Sequence, residues 1–119
     1  MTTQEAIAAA FKSIETSGAD ALKGAGMDAQ AAIDATREYV AQLAPDAEQL
    51  LTAAADAAAR GEDAGTWTAG LVALTEAAAL RTVQLVEGLS EATGRRLADV
   101  GHGALNVLLT LLPVLLAAV

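Results

Sequence analysis

The last charged side chain is Asp99, and the 20 residues that follow, Val100 to Val119, carry no formal side-chain charge. Leu105, Leu108, Leu109, Leu111, Leu112, Leu115 and Leu116 are concentrated in that stretch. A helix apolar on every side must be enclosed by protein or lipid, because apolar surface left in water costs about 25 cal/mol per Å². At about 1.5 Å per residue the segment spans roughly 30 Å, close to the hydrocarbon thickness of a bilayer. The chain must therefore bury this segment in its own body, in an assembly of copies, or in a membrane.

The sequence carries cues for each. Arg95 and Arg96, just before the segment, suit a tail anchor whose preceding residues face a cytoplasm. Against an anchor, Gly101, His102 and Gly103 dilute its start, and the strongly apolar part is Ala104 to Val119 only. No Trp, Tyr, Lys or Arg follows to hold the far interface, and Pro113 falls between two leucine pairs. Burial as the innermost helix of a bundle is the competing outcome. Shared burial between copies is favoured, because the preceding residues offer few large side chains to surround so many leucines.

That scarcity shows in composition. The 119 residues include 31 alanines, whereas aromatic residues are only Phe11, Tyr39 and Trp67. Alanine is the best helix former and strand formers are sparse, so an all-α chain is expected, with one domain at this length. The net charge of −8 repels phosphate backbones, which argues against nucleic-acid binding. The absence of cysteine removes disulfides, thiolate metal sites and cysteine nucleophiles. Met1 to Phe11 lacks the basic and apolar regions of a secretory signal, which points to a cytoplasmic protein or a component of an assembled particle.

Periodicity divides the chain into helices. Thr2 and Glu5 form a capping box, and Ile7, Ala10, Phe11 and Ile14 make one face of a first helix, which Gly18 ends or which frays to Lys23. Asp28 is placed to cap a second helix over 28–43, with Ile33, Val40 and Leu43 inward and Pro45 barring its continuation. Pro45 would open a third helix with Ala47, Leu50, Leu51, Ala54 and Ala58 inward, ended by Gly61. Thr66 is then placed to cap a long amphipathic fourth helix, Trp67 to Val100, bent near Gly88 or Gly94. Its packing face is Trp67, Leu71, Leu74, Leu85 and Leu89. Arg81, Gly88 and Arg95 interrupt any coiled-coil seam. The expected architecture is an antiparallel bundle of four to five helices, with residues 1–103 an acidic amphipathic body and 104–119 an apolar C-terminal helix.

Chemical motifs are few. His102 is the one side chain able to exchange protons near neutral pH without a large shift, and a polar residue at a helix junction or membrane interface explains it better than catalysis does. Asp99 and Glu91 near it form no metal motif, and no Glu-x-x-His is present. Gly24-x-Gly26 lacks the third glycine and the strand of a nucleotide fingerprint. Arg96 falls toward the apolar side of the long helix, where it needs a carboxylate partner unless a bend at Gly94 turns it outward. No catalytic residue, cofactor, metal or small-molecule substrate is indicated.

The alanine-rich helices are similar in style to those of granule-coating phasins and of small helical phage proteins, although no motif carries either likeness. The expected function is that of a non-enzymatic structural or assembly protein, such as a bacterial or phage particle component. It would form a homo-oligomer or join a protein complex through the C-terminal leucines. The alternative is a tail-anchored or peripheral membrane protein of the lysis, granule-coat or membrane-remodelling type.

Overall fold

A computed structural model describes the backbone of residues 2–117 and the side chains of 2–63 and 65–114. Four helices account for nearly all of it: α1 (Thr3–Gly24), α2 (Ala29–Ala59), α3 (Thr68–Leu85) and α4 (Glu91–Ala117). A short 3-10 turn, Ala64–Trp67, precedes α3, and no strand occurs among the described residues. Helix α1 packs on α2 and α4, and α3 packs on the same two. Helices α2 and α4 also touch each other across the bundle, whereas α1 and α3 do not meet.

Helix α1 begins as its capping box requires: Thr2 Oγ1 accepts from the Glu5 amide at 3.1 Å, and Glu5 Oε1 accepts from the Thr2 amide at 3.3 Å. It does not stop at Gly18. That residue is buried, and a β-carbon there would lie 2.6 Å from the Thr36 methyl and 3.2 Å from Leu97. Glycine at this position lets α1 approach α2 and α4, and the helix ends only at Ala25, where the Met27 amide bonds back to the Leu22 carbonyl at 3.1 Å.

The predicted break at Pro45 is also absent, and the expected second and third helices are one 31-residue helix. Pro45 removes one helical hydrogen bond and crowds the preceding turn. Three features offset this. The ring is on the exposed side of α2, so the freed Ala41 carbonyl belongs to a solvent-facing residue. Tyr39, Val40, Leu43, Ala47, Leu51 and Ala54 form one buried stripe that continues across the proline. Arg81 of α3 braces the same turn, donating to the Gln42 main-chain oxygen at 3.2 Å and its side-chain oxygen at 3.3 Å, with Asp46 at 3.6 Å. Gly61 ends α2 as expected, with φ +82 and the Glu62 amide bonding to the Ala57 carbonyl.

The long fourth helix is in fact two. Gly88 takes φ +86, Ser90 Oγ accepts from the Thr93 amide at 3.1 Å, and a new helix starts at Glu91. The expected cap at Thr66 is replaced by Asp63, whose carboxylate accepts from the Gly65 amide at 2.9 Å. Residues 104–117 form no separate helix: they are the second half of α4, which runs through Pro113. At the start of α4 a β-carbon on Gly94 would collide with Val83, so the glycine sets how closely α3 and α4 pack.

The core is built from Ile14, Leu22, Tyr39, Leu43, Leu51, Leu71, Leu97, Leu105 and Leu112, all fully buried, with alanines closing the spaces between helices. Thr36, Thr75 and Thr82 are buried too. Each hydroxyl donates to the carbonyl four residues earlier, at 2.7, 3.0 and 2.8 Å, so none is left unsatisfied.

Candidate functional site

Helix α4 positions most of the residues singled out from sequence. Leu105, Leu108, Leu109 and Leu112 face inward and are buried against the other helices of the same chain. Leu111 is exposed, and Leu115 and Leu116 lie outside the described side chains. Of the face expected to pack in the preceding segment, Leu71 and Leu89 are buried, and Trp67 and Leu74 are half-buried against the core. Leu85 is exposed, because the helix ends there and the wheel that turned it inward does not continue.

The second half of α4 is not apolar on all sides, contrary to what its lack of charge suggests. Asp99, Gly103, Asn106, Thr110 and Pro113 follow one another three or four residues apart, and all but the partly covered Asn106 are exposed. Beside this strip, which carries no charge beyond Asp99, runs an apolar one. Val107 is 59% exposed, Leu111 44% and Val114 64%, at spacings of four and three that place them on one face. Sequence reasoning singled out the leucines and missed the two valines. Asn106 and Thr110 were the available signal, since they carry the outer face of α4 beyond Asp99.

One turn of α4 also holds two unusual polar groups. Tyr39 of α2 is 0% exposed, and its hydroxyl has no hydrogen-bond partner. It is seated against Gly101, where any β-carbon would collide with the phenolic oxygen. Burial raises the Tyr39 pKa well above 10, and the negative charge of Asp99 adds to the effect. The neighbouring His102 has its Nε2 buried and likewise unpartnered. Its ring lines a groove of about 500 Å³ between α3 and α4, together with Val72, Glu76, Val83, Arg95 and Asp99. Arg96 points into solvent, as the outward alternative had it.

No group of three or more histidine or acidic side chains is gathered as a metal site among the described residues. The helix from Glu91 to Val114 is long and apolar enough to cross a membrane by length and composition, with 39% of its most apolar window buried in the bundle. No protein-family model, curated protein or solved structure matches the chain.

Proposed function

We propose that this is a non-enzymatic assembly protein that self-associates or joins a larger complex through the outer face of α4, in a cytoplasm or an assembled particle. The observation that carries the reading is the exposed stripe Val107, Leu111 and Val114, beside a strip without charge beyond Asp99. The inward leucines are already used by the fold, so the contact is assigned to the outer residues.

We further read neighbouring helices as antiparallel. Leu50 lies against Gly70, and Gln42 and Asp46 lie against Arg81, so numbers rise along α3 as they fall along α2.

The three exposed side chains amount to roughly 1.7 fully exposed ones, and burying them contributes about 3–5 kcal/mol per copy. Two copies therefore gain about 5–10 kcal/mol against an association cost of about 4–15 kcal/mol, which sets the expectation of weak, concentration-dependent pairing. Deleting residues 104–119 is a poor test, since it strips four leucines from the core. Charges on the outer face are a better one. Val107→Asp, Leu111→Glu and Val114→Asp together should leave the helical signal unchanged and abolish association in sedimentation.

A second reading, tail-anchored or peripheral membrane protein, draws on the length and hydropathy of Glu91–Val114. Insertion would withdraw Leu105, Leu109 and Leu112 from the core and so require the bundle to open. Flotation of the folded chain with phosphatidylcholine vesicles would favour this reading; recovery in the soluble fraction alone would exclude it.

A further inference from the structure

The apolar stripe of α4 is nearly the same read in either direction. Val107 and Val114 flank Leu111 on one face, and their midpoint falls between Thr110 and Leu111. A contact between two copies about a two-fold axis needs that symmetry, because the residue that touches a partner position is touched in return by the same residue of the partner. Charge is arranged to suit such a contact. Each copy carries −8, yet no charged side chain follows Asp99. Arg96 is exposed and makes no ion pair among the described residues. It precedes Val107 by 11 residues, about three helical turns, and so belongs to the face of the stripe.

We propose, on the reading that the chain self-associates, that the stripe is covered by a second copy whose α4 runs antiparallel. Leu111 packs on its counterpart across the two-fold axis, and each Val107 packs on the partner's Val114. The two helices then overlap along residues 104–117, a length with no charged side chain. The two Arg96 side chains end roughly 45 Å apart at about 1.5 Å per residue, far beyond the screening length of about 8 Å at physiological salt. A parallel, in-register pair is disfavoured by the same residue, since it sets Arg96 beside Arg96 on the contact face. A staggered, head-to-tail contact leaves part of each stripe in water.

The chain has no cysteine, so single cysteines report the arrangement. Val107→Cys, Leu111→Cys and Val114→Cys, all at exposed positions, are made one at a time and checked for an unchanged helical signal. Each is oxidised with diamide at a concentration where sedimentation shows the parent associated, and the products are resolved on non-reducing gels. Leu111→Cys should cross-link to itself. Val107→Cys and Val114→Cys should each cross-link at least about tenfold more slowly alone than when mixed, because like positions lie roughly 10 Å apart along the axes alone and a disulfide spans at most about 7 Å between α-carbons. Val107→Cys cross-linking to itself as fast as in the mixture would overturn the antiparallel pair and leave self-association standing. So would an associating parent for which neither Leu111→Cys nor the mixture cross-links. A parent that gains no mass with concentration would overturn both.

Discussion

Replacing Tyr39 with phenylalanine should stabilise the protein, the reverse of what the loss of a buried hydroxyl usually does. The Tyr39 side chain is fully buried and its oxygen has no partner, so folding strips the hydroxyl of water without compensation. An unsatisfied buried polar group costs about 1–3 kcal/mol. Deleting one oxygen against Gly101 leaves a void smaller than a methyl group, an offset below about 1 kcal/mol. Tyr39→Phe should therefore gain about 1 kcal/mol, seen as a higher urea midpoint at unchanged slope and a Tm raised by roughly 3–6 °C. The same group predicts an alkaline limb. Its pKa is raised by burial and by Asp99, so above about pH 10 the unfolded chain releases the phenolic proton while the folded chain keeps it. The unfolded state then binds fewer protons, and stability falls by up to about 1.4 kcal/mol per pH unit. Phenylalanine removes that contribution. As Tyr39 is the sole tyrosine, phenolate absorbance should report native ionisation directly, delayed until the alkaline unfolding transition. A phenylalanine variant less stable than the parent, or phenolate forming near pH 10 in the folded chain, would refute the reasoning.

Other changes probe the helix joins. Pro45→Ala restores a helical hydrogen bond worth about 3 kcal/mol with the steric relief, less about 1 kcal/mol for a more flexible unfolded chain, so chemical denaturation should show a gain of roughly 2 kcal/mol. Arg81→Ala removes the brace on that turn and should cost about 1 kcal/mol, with less effect in the Pro45→Ala background, as a double-mutant cycle would show. Gly18→Ala should destabilise by about 1–2 kcal/mol because its new methyl meets Thr36 and Leu97, whereas Gly24→Ala, with open space around it, should be neutral or stabilising by up to about 1 kcal/mol.

The helical class and several ends could be read from sequence because they depend on local chemistry. The Thr2–Glu5 capping box and the stop at Gly61 are decided within a few residues. Pro45 misled because its local preference for a break is outweighed by a partner distant in the chain, Arg81; Gly18 leaves the end of the first helix open in sequence, and its seating on Thr36 and Leu97 goes with the longer of the two alternatives, to Gly24. Gly88 suggests a bend in one long helix, yet with the first helix ending at Leu85 and the capping serine two residues on, it belongs to the turn between two helices. In the C-terminal segment, absence of charge was mistaken for absence of an outer face. Asn106 and Thr110 are weak polar markers, and a wheel weighted toward charged residues passes over them. The pairing of Tyr39 with Gly101 depends on how α2 crosses α4, which no spacing rule encodes.

Sedimentation velocity on the full chain and on the Val107→Asp, Leu111→Glu, Val114→Asp variant, across a range of concentrations without detergent, tests the assembly role most directly. Association through the outer face of α4 predicts that the parent gains mass with concentration while the variant, equally helical, stays a monomer. A parent that remains monomeric throughout would contradict self-association, and a variant that associates as the parent does would contradict the assignment of the contact to this face.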